Sequence, residues 1–300
     1  MTPPPMPTAA GRQAARLLRR LVLNRALPWE KQRARMAIAS ASLKAPKGVE
    51  VSTDIVGGVP VEVLTPSHRN PTGTLIQIHG GGFTVGSPAL SRPWAGAIAA
   101  ALGIEVIVPD YRLAPEHPFP CGFDDVAAVI DDVLRRFDPA SVALSGDSAG
   151  ANLALGAAVA RVAQGASLPA AMVLMSPWLD LAADRLDDPA LVARDPMLSP
   201  EWLAACAVAY APGQSVDPKV SPLRGELSGL PPVLIQGGTD DVLAPDAARL
   251  ASILGAGATL SVAPDLWHAF SLQVSTLKAA DRALAVTLGH LSGHLDLAAD

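Results

Sequence analysis

Apolar and polar positions along this chain change rhythm at intervals, and each rhythm predicts an element. Residues 10–23 and 29–43 repeat apolar side chains at helical spacing, split at Pro28. Residues 1 to about 8 are Pro-rich, without pattern, and expected to be disordered. Residues 49–55 and 59–64 read as a hairpin around Gly57-Gly58. From there short apolar runs at 75–78, 105–108, 142–144, 171–175, 233–235 and 260–262 predict strands. Between them, residues 88–102, 149–163 and 247–254 predict helices, as does the recurrence of Phe123, Val126, Ala127, Ile130, Val133 and Leu134. A final helix is expected from about Val274 to His290.

Strands alternating with helices imply an α/β protein with a mainly parallel sheet and right-handed crossovers. One interval, 179–214, breaks the rhythm with Asp, Pro and scattered apolar residues: Leu186, Met197, Leu198, Trp202, Leu203 and Tyr210. It reads as an insertion over the C-terminal edge of the sheet, where ligands bind in such folds. The expected division is N-terminal cap helices at 1–45, a catalytic domain at 46–178 and 216–300, and a cap insertion at 179–215. No internal repeat is visible.

Composition narrows the picture. The 300 residues are half hydrophobic and 17% charged, a composition that a sheet covered on both faces would produce and that an Ala-rich soluble protein would share. The net charge of −5, without a conspicuous Lys/Arg block, argues against nucleic acid as a partner. Two cysteines, Cys121 and Cys206, are too few for a zinc site or a disulfide framework and are read as reduced and structural. No apolar run approaches a membrane span, and Leu21-Val22-Leu23 is too short for a signal-peptide core. A cytoplasmic protein without stable membrane insertion is expected. The basic, apolar start at residues 16–23 is read as a helix packed on the domain rather than one touching a membrane.

Ser145-Gly146-Asp147-Ser148-Ala149-Gly150 holds one G-x-S-x-G. This composition supplies roughly 0.1 such match by chance, so the motif alone is weak. Its setting sharpens it: an apolar strand ends before it and an Ala-rich helix begins after it, the strand–turn–helix of a nucleophile elbow. Flanking glycines let strand and helix approach, and Ser148 Oγ is exposed at the positive end of a helix. The bland reading is a glycine-rich turn capped by a serine.

His79-Gly80-Gly81-Gly82 follows the strand at 75–78. Successive glycines leave amides unhindered, suiting an oxyanion hole built from the N–H groups of Gly81, Gly82 and Ala149. A P-loop would need Gly-Lys-Ser/Thr, which is absent. His79 reads as a loop-anchoring imidazole rather than a base.

Elbow hydrolases order their triad Ser, Asp/Glu, His. Only His268, His290 and His294 follow Ser148. His290 and His294, four apart on a helix without a ligand-spaced carboxylate, suggest a solvated face rather than a metal pair. His268, in the loop after the last strand, is the expected base. Two carboxylates, Asp240 and Asp241, follow the strand at 233–235, and spacing alone does not choose between them.

Together, His79–Gly82, the run Tyr111-Arg112-Leu113-Ala114-Pro115-Glu116-His117-Pro118-Phe119-Pro120, the elbow and Trp267-His268-Ala269-Phe270 resemble the hormone-sensitive-lipase-like family of α/β-hydrolases, the bacterial family IV esterases. The resemblance covers most of the chain from Val49 onward, and more loosely the N-terminal helices. It implies the α/β-hydrolase fold: an eight-stranded, mostly parallel sheet flanked by helices, with a helical cap. It favours Asp241 as the acid, since Asp241-Val242-Leu243 fits the family's Asp/Glu-x-Leu pattern. It gives Asp147 a loop-bracing part and the Tyr111–Pro120 run a structural one, so Asp110, Glu116 and His117 are not catalytic candidates. Departures are Cys121 where many members have Ala, Ala269 where Gly is common, and a single acidic residue, Asp246, shortly after Asp241.

The expected activity is hydrolysis of short- to medium-chain carboxylic esters through Ser148, His268 and Asp241, with Gly81, Gly82 and Ala149 as oxyanion donors and His79, Gly80 and Asp147 in support. Neither metal nor organic cofactor is required. The expected partner is a small-molecule ester, and the resemblance leaves a homodimer open. The same machinery would serve a lactone, amide or carbamate. Epoxide and haloalkane hydrolases place Asp at the elbow, which this chain does not. A non-catalytic ligand receptor would have lost a triad member, and all three are present.

Overall fold

A computed structural model describes residues 8–69, 73–182 and 188–297. Eight strands form one sheet in the order β1-β2-β4-β3-β5-β6-β7-β8. β1 (Val49–Val56) and β2 (Val59–Pro66) pair antiparallel, and β2 also pairs antiparallel with β4 (Glu105–Pro109). The rest is parallel: β3 (Thr74–Ile78), β5 (Val142–Asp147), β6 (Ala171–Met175), β7 (Val233–Gly238) and β8 (Ala258–Ala263). The β1–β2 register closes at Val56 and Val59, so Gly57-Gly58 is a two-residue turn, with φ of 59° and 82°. Positive φ at both central residues is what a tight hairpin demands and only glycine gives cheaply.

Alternate residues of each central strand feed opposite faces. Val142 and Leu144 join one apolar layer, and Ala143 joins the other. The first layer packs against α4 (Cys121–Arg136), α5 (Ala149–Ala163) and α8 (Ala244–Leu254). The second packs against α3 (Arg92–Leu102) and α9 (Lys278–His294). Burial on both faces explains why the strands read as short continuous apolar runs rather than alternations.

Most expected elements are present, with shifted ends. The helix expected at 88–102 is a 3-10 turn, Pro88–Ser91, followed by α3, because Pro93 fits only a first turn. The last helix starts at Lys278, not Val274: Val274 and Leu277 are buried anchors of the loop before it. It runs on to His294. α1 (Thr8–Leu21) and α2 (Trp29–Ser40) each stop short of the expected end, and Thr8 opens α1 instead of lying in an unstructured start. Residues 1–7 and Leu186 lie outside the described residues.

The arrhythmic interval contains two helices, α6 (Pro189–Arg194) and α7 (Pro200–Tyr210). Each begins with proline behind a capping side chain, Asp188 for α6 and Ser199 for α7. They meet the N-terminal helices directly. Trp202 Nε1 donates to Gln32 Oε1 at 2.9 Å, and Arg12 and Arg19 donate to the carbonyls of Arg194 and Asp195.

Candidate active site

The elbow is built by close approach. A Cβ on Gly150 would stand 2.1 Å from the Ile78 carbonyl oxygen, and one on Gly146 would stand 2.5 Å from the Gly150 backbone. Only hydrogen fits there, so β5 turns into α5 directly against the end of β3. Ser148, at the turn, has φ 54° and ψ −119°, a conformation that side chains resist. Its amide donates to the Met175 carbonyl at 2.9 Å and its carbonyl accepts from Trp178 at 3.2 Å, which fix the strained residue between β5 and β6.

The glycine loop lies over this turn. A Cβ on Gly81, at φ 122°, would be 2.0 Å from the Val85 carbonyl oxygen. The Gly81 carbonyl accepts from Thr84 and Val85, whereas among the described residues no protein acceptor takes the amides of Gly81 or Gly82. His79 anchors the loop. Its Nδ1–H donates to the Gly80 carbonyl at 2.8 Å, its ring stacks on Tyr111, and its carbonyl accepts from Tyr111 Oη at 2.9 Å. Burial drives the His79 pKa down to about 4, so the ring is neutral and its Nε2 is a buried, unpartnered acceptor. α2 grips the far side of the loop, where Arg33 donates to the Thr84 and Ala114 carbonyls and pairs with Glu116.

Asp147 lies beside Gly80, accepting from Gln77 Nε2 at 3.1 Å. Burial raises its pKa to about 7, against the pull of His268, the Gly80 amide and Gln77.

His268 is 2% exposed and faces a carboxylate symmetrically, with Nδ1 3.1 Å from both Asp241 oxygens. Burial alone would lower the imidazole pKa, but the charge and hydrogen bond of Asp241, with Asp195 and Asp147 behind, hold it above the ordinary value. Burial likewise opposes the Asp241 charge. His268, the Ser176 hydroxyl and the Leu243 amide outweigh it and keep this carboxyl below the usual range. Asp240, one residue away, turns to solvent-side cations. It accepts from Arg12 at 2.6 Å and lies 3.3 Å from Arg194.

Ser148, His268, Asp147, Gly80, Gly81 and Gly82 border one cavity of about 370 Å³. Ala149 is buried behind it as the first residue of α5. The cavity's outer wall is apolar and comes from α1, α2 and residues 197–202: Ala14, Leu18, Met36, Met197, Leu198 and Trp202.

Two participants are absent from the sequence reading. Ser176, at φ 44°, accepts from the Ala269 amide at 2.9 Å while its hydroxyl serves Asp241, tying the His268 loop to Asp241. Asp195 is a second buried carboxylate beside Asp241, its pKa raised by burial and by the Asp241 charge. It accepts from the Met197, Leu198 and Val242 amides, joining the segment between α6 and α7 to the turn after Asp241. Asp195-Pro196 ahead of a capped helix signals a turn, but not what the turn touches.

A model of the alpha/beta hydrolase fold matches residues 75–272. A relative named "putative acetyl-hydrolase LipR", from Mycobacterium tuberculosis, is 38% identical over 293 residues, covering 95% of this chain and 94% of LipR. The carboxylesterase NlhH of the same organism is 32% identical, covering 73% of each chain. A crystal structure of an esterase from the bacterial hormone-sensitive lipase family superposes with a TM-score of 0.89 at 30% identity, covering 97% of this chain and all of the other. This chain belongs to the α/β-hydrolase family and is a hydrolase of its hormone-sensitive-lipase-like, esterase branch.

Proposed function

We propose that this protein hydrolyses carboxylic esters of short to medium acyl chain through a serine–histidine–aspartate triad. The observation that carries the reading is the His268 imidazole, held by Asp241 at 3.1 Å and bordering the same cavity as Ser148. His268 takes the Ser148 proton as Oγ attacks the acyl carbon, then returns it to the departing alkoxide. Asp241 keeps the proton on Nδ1 and stabilises the imidazolium. The amides of Gly81, Gly82 and Ala149 receive the tetrahedral oxyanion, and water then repeats the sequence on the acyl-enzyme. Residues 1–45 and 179–215 act as one cap over a catalytic domain of 46–178 and 216–300. The apolar wall and a volume of about 370 Å³ favour modest acyl groups.

Hydrolysis of p-nitrophenyl esters of increasing chain length, with Ser148→Ala in parallel, tests this. Turnover of short and medium chains that vanishes in the variant is expected. A folded wild type no more active than the variant would overturn the reading.

A further inference from the structure

The net charge of −5 hides a division of the chain. Residues 8–47 carry ten Lys and Arg against one acid, Glu30, so the N-terminal cap is strongly basic on an otherwise acidic protein. On α1 the arginines are not scattered. Arg16, Arg19 and Arg20 border, with Arg194 at the end of α6, a polar cleft of about 280 Å³. Arg19 is engaged with the Asp195 carbonyl and Arg194 with Asp240. Arg16 and Arg20 are exposed and, among the described residues, have no acidic partner.

The same helix also borders an apolar groove, between α1 and α2, lined by Leu17, Leu18, Leu21 and Ile38. Leu17 is 55% exposed, Leu21 45% and Ile38 77%, so three large apolar side chains stand in water next to unpaired cations. Ala14 and Leu18 line both this groove and the catalytic cavity, which places the inner side of α1 on the site and its outer side on the groove.

We propose that this face of the cap docks on an anionic lipid surface. Interleaved cations and exposed aliphatic side chains suit a helix lying in a membrane interface, where arginines meet headgroup phosphates and leucines enter the acyl boundary. No helix among the described residues is long and apolar enough to cross a membrane, so the contact is peripheral. Two other occupants fit less well. A second copy across a two-fold axis would set Arg16 and Arg20 against their own images. Nucleic acid would satisfy the arginines and leave Leu17 and Ile38 bare. Docking here seats the wall of the catalytic cavity at the interface from which an amphiphilic ester would enter.

Co-sedimentation of the full chain with vesicles of phosphatidylcholine, alone or mixed with phosphatidylglycerol, tests the proposal. Binding to the mixed vesicles only, reversed by salt, is expected. Arg16→Gln with Arg20→Gln should weaken it about 30-fold, the effect of two cations near such a surface. Leu17→Gln with Ile38→Gln should weaken it about 10-fold or more. Both double variants should melt and hydrolyse a water-soluble ester as wild type does; should the leucine–isoleucine pair melt early, Ile38→Gln alone replaces it, and should the arginine pair, Arg20→Gln alone does. Ser148→Ala should bind vesicles unchanged, which separates this docking from the acyl-transfer reading. Equal sedimentation with both vesicle types, or binding indifferent to both double variants, would overturn the proposal. So would a dimer in light scattering that dissolves on Leu17→Gln with Ile38→Gln. Binding of a single-stranded oligonucleotide that displaces vesicles and ignores the leucine change would overturn it too.

Discussion

The strand ends and the helices over them, α1, α2 and α7, contribute to one cavity in different ways. On the strand side, position is fixed by steric exclusion: Gly146, Gly150 and Gly81 admit no side chain, and Ser148 is locked in a strained turn. On the side of these helices, position is fixed by long side chains reaching across, such as Arg12 to Asp240, Arg33 to Thr84 and Trp202 to Gln32. The adjacent carboxylates divide along the same line, Asp241 facing His268 and Asp240 facing Arg12 of α1. The groups expected to do chemistry rest on backbone that has one conformation available. The groups that shape the pocket rest on contacts that can be lost one at a time.

Asp241→Asn should expose that division most sharply, lowering kcat about 10⁴-fold by giving His268 the wrong tautomer. Asp240→Asn should cost less than about ten-fold, because it loses a part-exposed pair with Arg12 rather than a partner of the base. Steady-state kinetics on both variants separates them. Comparable losses would erase the distinction.

Gly150→Ala is next. Its methyl would meet the Ile78 and His79 carbonyl oxygens at 2.1 and 2.6 Å, and a loss of roughly 3 kcal/mol or more is expected in urea unfolding. Gly289→Ala, in α9 with nothing within 4 Å, should instead gain up to about 1 kcal/mol from helix propensity.

Arg12→Ala tests the cap. It removes the bonds to Asp240 and to the Arg194 and Asp265 carbonyls, and the guanidinium over Trp267. KM should rise several-fold with kcat nearly kept, since α1 walls the cavity and Arg12 bonds neither Ser148 nor His268. A fall in kcat with KM unchanged would mean that α1 orients His268 itself.

The smallest effect concerns Asp147, whose folded pKa of about 7 lies above its ordinary 3.8. An acid raised in this way favours the folded state when protonated, and that advantage is lost as pH rises through about 7. Asp147→Asn removes the buried charge, so its Tm relative to wild type should be higher at pH 8 than at pH 5. The difference amounts to a few degrees once the weakened Gly80 contact is allowed for. A pH-independent difference would contradict a buried, raised carboxyl.

What sequence reading reached follows from the same contrast. Excluded side chains leave glycines at fixed offsets, so the elbow and His79–Gly82 stand out in a single chain. His268 is marked by its order behind the last strand. Asp195 and Ser176 left no such trace. Each acts through amides or a hydroxyl of residues distant in sequence, and an Asp before Pro or a Ser before Pro looks like any turn. The choice between Asp240 and Asp241 rested on family pattern, because neighbouring carboxylates differ only in what folds against them. The basic, apolar start at residues 16–23 is legible in the sequence, but which of its side chains pack inward and which stay exposed is set only by the fold.

Intact-mass spectrometry after incubation with an alkyl fluorophosphonate tests acyl transfer through Ser148 most directly. One adduct per chain on the peptide carrying Ser148, formed in step with loss of ester hydrolysis and far more slowly in His268→Ala, is predicted. Full hydrolytic activity in protein whose Ser148 is fully modified, or inactivation by an adduct elsewhere, would contradict it.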